Sequence, residues 1–325
     1  MVVRIHPLEF TEKKEMWLGI DVGSVSTDVV LVDDNFDLYK WAYLPTSGNP
    51  IEAVKEGLRI VRDSTQIFGV GTTGSGRELA GIITMADVVK NEITAHAVAA
   101  IHFVPDVKTV IEIGGQDSKI IIIRDGIPVD FAMNSVCAAG TGSFLDHQAQ
   151  RIGIPIEEFG KLALKSEIPA RIAGRCTVFA ESDMIHKQQL GYKTEDIVRG
   201  LSQALVRNYL ANVGKGKTIL PPVVFQGGVA SNEGIKHAFE EELGVPVFVP
   251  PHNKLMGAIG VAILAKRMTT KKTTFKGFEI CDMEFDTSSL ICEDCPNNCE
   301  IVKISLNSDL LASWGSRCGK HNTIQ

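Results

Sequence analysis

Two runs rich in β-formers, Trp17–Val22 and Thr27–Asp33, flank a Gly-Ser turn, and Thr109–Gly114 and Ser118–Arg124 repeat that layout further along the chain. At an offset of 91 residues Asp21 falls on Glu112, Gly23 on Gly114, Ser26 on Asp117, Thr27 on Ser118 and Asp34 on Asp125. Each copy reads strand, acidic residue, glycine turn, strand, acidic hairpin turn, strand. That pattern predicts two similar α/β lobes, each offering one hairpin to a shared ligand. Apolar residues at helical period mark Pro50–Arg62, Asn91–His102, Thr194–Val213, Ser231–Leu243 and Lys254–Lys266, with Thr194 and Ser231 as expected N-caps before acidic first turns. A third strand–glycine–helix unit runs from Pro222 to Asn232 and leads into the Ser231 helix. Beyond Ala265 the chain turns basic and Thr-rich, which predicts a linker and a boundary near Met268.

Composition agrees with that organisation. At 325 residues and 44% hydrophobic content the chain is too long for one small module and holds enough apolar material for two lobes. The net charge of −6, from 33 basic and 39 acidic residues, leaves no general electrostatic footprint for nucleic acid or an anionic membrane. Met1–Trp17 carries no apolar leader pattern, and Leu255–Ala265 falls well short of the ~20 apolar residues that span a bilayer. The expected location is the cytoplasm. Of seven cysteines, Cys137 and Cys176 stand in the first 280 residues, while Cys281, Cys292, Cys295, Cys299 and Cys318 crowd the last 45. Gaps of two and three residues there predict metal ligation rather than disulfides.

Two motifs are decoys. Gly69–Gly74 satisfies G-x-G-x-x-G, but no clear second strand ends in an acidic residue at the ~20-residue distance of a dinucleotide fold, so it reads as a plain glycine turn. Gly214-Lys-Gly-Lys-Thr follows a helix where a P-loop follows a strand, and Ala211 stands where the motif has glycine. The glycine turns after Asp21, Glu112 and Gln226 carry more weight. Their backbone N–H groups can receive phosphate oxygens, and glycine permits close approach. Asp21 and Glu112, at strand ends, can hold Mg²⁺ through water.

The segments Ile20–Asp28, Asn91–His96, Ile113–Lys119, Phe225–Asn232 and His252–Gly260 resemble the phosphate, connecting and adenosine motifs of the acetate kinase, sugar kinase, Hsp70 and actin superfamily, over roughly residues 16–267. Within it, Gly114–Lys119 and Asn134–Phe144 resemble most closely the ATP-dependent activators of 2-hydroxyacyl-CoA dehydratases and benzoyl-CoA reductases. The resemblance implies a duplicated two-lobe α/β ATPase with ribonuclease H-like lobes and a small cysteine-rich tail. Residues 16–95 form one lobe, completed by the helix 254–267; residues 96–253 form the other and carry the cluster cysteines; 268–325 form linker and metal-binding tail. It further implies that Asp21 anchors the Mg²⁺ water shell and that Gly23, Ser24, Ser26 and Thr27, with Gly114, Gly115 and Ser118, cradle the phosphates of ATP. Gly227, Gly228 and Asn232 border the adenosine, and Gln116 or Asp117 orients the attacking water. Lys119 is either a cation for the γ-phosphate or a solvated strand charge.

Cys137 and Cys176 each precede a helical segment, whose N-terminus stabilises a thiolate. On the residues alone they fit free buried cysteines equally well. The resemblance makes them ligands of a [4Fe–4S] cluster. Four thiolates against two per chain then require an isologous homodimer sharing it. In the tail, Cys292, Cys295, Cys299 and Cys318 suit either a second cubane, which is favoured, or Zn²⁺ as a folding staple, with Cys281 spare. The expected function is ATP-driven, low-potential electron transfer from a ferredoxin- or flavodoxin-like donor to a metalloenzyme acceptor, a 2-hydroxyacyl-CoA dehydratase or a double-cubane-cluster reductase. The competing readings are a sugar-type small-molecule kinase and a nucleotide sensor with a zinc tail.

Overall fold

In the first sheet the repeated runs become β1 (Met16–Val22) and β2 (Ser26–Val32), joined by β3 (Leu38–Pro45), β4 (Ile67–Thr73) and β5 (Val88–Val89) in the order β3-β2-β1-β4-β5. This computed structural model describes residues 15–134, 137–174, 176–306 and 308–324. Most of the Met1–Trp17 stretch read for a leader lies outside the described residues, as do Ser135, Val136 and Arg175 of the two cysteine segments. Strand β1 runs antiparallel to β2 and parallel to β4. Helices α1 (Pro50–Val61) and α2 (Arg77–Thr84) accompany it. In α1, Asn49 accepts the Glu52 N–H at 3.3 Å, proline opens the first turn, and Ala53, Val54, Leu58 and Val61 are buried along one stripe. Gly57 on that stripe leaves room for Val29, whose Cγ2 would stand 2.5 Å from an added Cβ. Leu18, Ile20, Val29, Leu31 and Leu58 share this core, each contributing ~1.5–3 kcal/mol by burial.

The second sheet repeats the first. It uses β6 (Thr109–Ile113), β7 (Ser118–Arg124), β8 (Ile127–Asn134), β9 (Val223–Gln226) and β10 (Val247–Phe248) in the order β10-β9-β6-β7-β8. Strand β6 is antiparallel to β7 and parallel to β9, as β1 is to β2 and β4. Helices α3 (Glu92–Phe103), α4 (Gly142–Ile152), α5 (Ile156–Ala163), α6 (Thr177–Gln189), α7 (Thr194–Asn212), α8 (Glu233–Leu243) and α9 (Met256–Met268) follow in chain order among these strands. The fold is the duplicated, two-lobe α/β architecture.

Three local expectations change. Ser231 lies in a short 3-10 turn, Gly228–Ser231, and the α8 cap is Asn232, whose Oδ1 accepts the Ile235 N–H at 3.1 Å. Thr194 is already helical and Lys193 precedes it without a side-chain cap. The eight-residue helices α2 and α5 carry too few turns for their period to stand out in the sequence.

Contacts divide the chain into one unit of residues 1–23, 27–90 and 261–325 and another of 24–26 and 91–260. The breaks at 90/91 and 260/261 differ from the sequence boundaries at 95/96 and 253/254. Helix α3 packs on β7 and β8, and a Cβ on Gly260 would run into the Ala95 backbone, so the start of α3 and the first turn of α9 go with the second sheet.

Residues 268–325 are counted with the first unit. They form an antiparallel sheet of β11 (Phe285–Ile291), β12 (Glu300–Leu306), β13 (Asp309–Trp314) and β14 (Thr323–Ile324) in sequence order. Phe278, Ile280, Cys281, Ile304 and Ala312 share the apolar core of β1, β2 and α1. Arg59 Nη2 donates to the Cys281 carbonyl at 2.7 Å, and Thr273 Oγ1 donates to Asp87 Oδ2 at 2.6 Å. Among the described residues no helix is long and apolar enough to cross a membrane.

Candidate functional site

Three glycine turns sit at the ends of buried strands. Asp21, half-buried near the end of β1, faces Asp28 across the ladder to β2 and Thr73 on β4. Gly74 follows with φ +88, and a Cβ there would strike the Asp21 carboxylate and the Val22 carbonyl. In the turn, Ser24 is exposed, Gly23 and Ser26 are half-buried, and Thr27 is buried. Thr46 Oγ1 donates to the Gly23 carbonyl at 2.8 Å, so Thr27 is the donor in the 2.9 Å bond between the two threonine hydroxyls. Thr27 therefore pins the turn. Thr46, which the sequence does not single out, latches it from β3's far end. The decoy glycines Gly69 and Gly71 lie in β4, where side chains would hit Trp17 and the Val261 backbone. They allow close packing.

In the second turn Gly114 N–H donates to the Asp117 carbonyl at 3.0 Å. Gln116 is exposed at the tip, Gly115 and Asp117 are half-buried, and Ser118 is buried with no hydrogen-bond partner for its Oγ among the described residues. Ser24–Ser26 are counted with this unit, and Val25 stands where a Cβ on Gly115 would go, 2.6 Å from its Cγ2. Lys119 is not a solvated strand charge. It is 4% exposed, and its Nζ holds Glu112 Oε2 at 2.9 Å and Asp117 Oδ2 at 2.8 Å. Burial alone would push the ammonium down, but the two carboxylates outweigh it and raise it above the ordinary lysine range. Burial and the nearby Lys119 charge lower His96 from 6.5 to about 3, so this buried imidazole is neutral.

The third turn is held by Asn253, which the sequence reading included only as part of the His252–Gly260 segment. Gly227, with φ +89, donates its N–H to the Asn253 carbonyl at 2.9 Å, and Asn253 Nδ2 donates to the Gly227 carbonyl at 2.8 Å. Gly228 is exposed, and Asn232 is occupied in capping α8.

Cys137 and Cys176 are free and half-buried. Each occupies the position before a helical turn, and neither thiol is used in capping. Both sulfurs are thus free of capping and are the donor type a cluster requires; Cys176 stands at the start of α6, whereas Cys137 precedes the single 3-10 turn Ala138–Gly140 ahead of α4. The Cys137 N–H donates to Asn134 Oδ1 at 3.0 Å and Asn134 Nδ2 donates to the Cys137 carbonyl at 2.8 Å. Just beyond, Gly142 N–H donates to the Gly114 carbonyl at 2.9 Å, and Ser143 N–H and Oγ donate to the Gly115 carbonyl at 2.8 and 2.5 Å. One hydrogen-bonded piece carries both the second glycine turn and Cys137.

In the tail, Cys292 and Cys299 are half-buried, Cys295 and Cys318 exposed, and Cys281 buried. The donor atoms that lie within 4.8 Å of one another are those of Cys292, Asp294 and His321. Cys295, Cys299 and Cys318, picked with Cys292 from sequence, are outside that group. Asp294 and His321 are its additions, visible in sequence only as neighbours of cysteines.

Comparison with known proteins adds the following. The sequence profile of the BadF/BadG/BcrA/BcrD ATPase family matches residues 18–265. The (R)-2-hydroxyglutaryl-CoA dehydratase activating ATPase of Acidaminococcus fermentans is 35% identical over 260 residues, 78% of this chain and 98% of that protein. The activator of lactoyl-CoA dehydratase of Anaerotignum propionicum is 33% identical over 78% of this chain and 99% of its own length. The crystal structure of the A. fermentans (R)-2-hydroxyglutaryl-CoA dehydratase component A superimposes with a TM-score of 0.72 at 32% identity, covering 79% of this chain and 99% of that one.

Proposed function

The chain belongs to the BadF/BadG/BcrA/BcrD ATPase family, and from that premise we propose that it is an ATP-driven activator that delivers single low-potential electrons to a partner metalloenzyme. ATP binds through the backbone N–H groups of Gly23–Thr27 and Gly114–Ser118, with Gly227, Gly228 and Asn232 beside the adenosine. Asp21 holds the water shell of Mg²⁺. Gln116 rather than Asp117 orients the attacking water: Asp117 is bound by Lys119, whereas the Gln116 carboxamide makes no side-chain hydrogen bond among the described residues.

Cys137 and Cys176 hold a [4Fe–4S] cluster with the same two residues of a second copy, since four thiolates are needed. Bound there, the cluster supplies a one-electron carrier. Exposed apolar residues support the dimer: Val178 and Phe179, which follow Cys176 in the chain, are 66% and 65% exposed, and Ile127, Val129, Phe131 and Met133 line one face of β8, the strand that precedes Cys137 in the chain. The observation that carries the reading is the bonding of Gly142 and Ser143 to the Gly114–Gly115 carbonyls. A phosphate-driven shift of that turn must drag the start of α4 and the Cys137 segment with it, which couples nucleotide state to the cysteines. A ferredoxin- or flavodoxin-like protein supplies the electron, and a dehydratase or reductase of acyl-CoA substrates accepts it.

Anaerobic purification tests this. The wild-type dimer is expected to lose about four irons on Cys137→Ser, while binding of a non-hydrolysable ATP analogue persists. An unchanged iron content and paramagnetic signal in Cys137→Ser sinks the cluster assignment.

A further inference from the structure

The tail lies beyond residue 265, where the family match ends, and brings candidate ligands of its own together. Strand β12 runs antiparallel to both β11 and β13, pairing Ile291 with Glu300 and Val302 with Trp314. The 292–299 and 315–322 loops therefore emerge at one end of the tail sheet. The Cys292 N–H donates to the Cys299 carbonyl at 2.8 Å and closes the first loop. The second is pressed against it: Gly315 has φ +107, and a Cβ there would strike the Glu300 carbonyl. Asp294 joins them, with Oδ2 2.9 Å from His321 Nε2 and 2.5 Å from Lys320 Nζ. No apolar core holds these loops: 292–299 are half-buried or exposed throughout, and in 315–322 the one buried residue is the polar Ser316.

We infer that the two loops bind one divalent ion of zinc type, with Cys292, Asp294 and His321 as its first ligands. Donor atoms within 4.8 Å of one another match a single tetrahedral ion, whose ligands at ~2.0–2.3 Å stand within 4 Å of each other. A cubane instead places its thiolates on four separate irons with the cluster body between them. A mixed thiolate, imidazole and carboxylate set is also zinc chemistry rather than that of a hard oxygen-seeking ion. A thiolate from Cys295, Cys299 or Cys318, all on the same loops, completes the shell. Cys281 has no part in it, being buried in the core of the first unit. The ion staples two loops that have no core of their own.

The experiment uses the full chain and its Cys137→Ser/Cys176→Ser double variant, so that failure of the shared-cluster reading leaves this one intact. Metal-free protein is titrated anaerobically with Co²⁺. Expected are one Co²⁺ per protomer in the double variant and at least one in the wild type, with thiolate-to-cobalt absorption and tetrahedral visible bands, displaced in the double variant by one equivalent of Zn²⁺. Cys292→Ser is expected to lose about half of the thiolate absorption, since one of two thiolates remains. His321→Ala is expected to weaken Co²⁺ binding at least ~10-fold, and His321→Cys to restore it. Unchanged Co²⁺ affinity in His321→Ala overturns the ligand set. About four irons and four sulfides per protomer in the double variant overturn the single ion in favour of a cubane, and no bound metal of either kind overturns the site.

Discussion

The two large sheets have the same strand order and pairing, yet they treat charge at their glycine turns in opposite ways. Across the ladder from Asp21 in the first sheet stands Asp28, whereas across from Glu112 in the second stands Lys119. The offset of 91 that aligns the two hairpins puts Asp28 and Lys119 at one position. In the second sheet the buried ammonium ties Glu112 and Asp117 together, and Tyr209 donates its hydroxyl to the Lys119 carbonyl at 2.7 Å. The first sheet has two carboxylates at this place, the oxygen ligands that the proposed Mg²⁺ role of Asp21 calls for. One duplicated backbone thus provides a turn with two facing carboxylates and one whose carboxylates share a buried ammonium, through a change of sign at one ladder position. The second turn, tied together by that ammonium, is the one bonded to the cysteine-bearing segment.

The largest test of that contrast is Lys119→Met. It leaves Glu112 and Asp117 without their cation, and losing one partner of a buried pair costs about 3–5 kcal/mol. Urea unfolding at pH 7 should show it, and a loss below about 1 kcal/mol would mean the ammonium does not hold the turn. Next is Asp21→Asn, expected to lower Mg²⁺-dependent ATP hydrolysis by about 10- to 100-fold, or ~1.4–2.7 kcal/mol of barrier. Hydrolysis that keeps its rate at limiting Mg²⁺ removes the metal role from the first turn. The smallest effect per step is the pH response of His96. Its native value, about 3, lies below the 6.5 of the unfolded chain. The unfolded state alone takes up the proton as pH falls, so the stability is complete above 6.5 and drains away toward 3. The slope is ~1.4 kcal/mol per pH unit in that window. Denaturant midpoints of His96→Asn between pH 4 and 7 should be flatter than wild type by that slope. Parallel curves would place His96 outside the charge network.

The strands of both hairpins were legible because a buried β-ladder demands consecutive β-branched residues, and the repeat of Asp21-x-Gly in Glu112-x-Gly gave the duplication away. The cysteine segments were legible as helix starts. The latches were not: Thr46 bonds across 23 residues to Gly23, Asn253 across 26 to Gly227, and Ser143 across 28 to Gly115. A lone Thr, Asn or Ser in a loop carries no periodic signal, so only the folded chain shows which carbonyl it meets.

Local chemistry by itself determined much of this protein. Side-chain alternation and helical period set the α/β class, glycine marked the turns that need positive φ or close approach, and the resemblance of the glycine and cysteine motifs pointed to the ATPase family. Tertiary structure decided what depends on distant partners. Lys119 reads in sequence as either a cation for the γ-phosphate or a solvated strand charge, and only the folded chain shows it buried between two carboxylates. Residues 268–325 read as a linker and a detached tail, yet Phe278, Ile280, Cys281, Ile304 and Ala312 lie in the core of the first unit. His321 is an unremarked histidine until the sheet carries it to Cys292 and Asp294. The reason is the same in each case: ionisation and ligation depend on which groups share a few ångströms and on how much water is excluded, and a sequence pattern fixes neither for residues far apart in the chain.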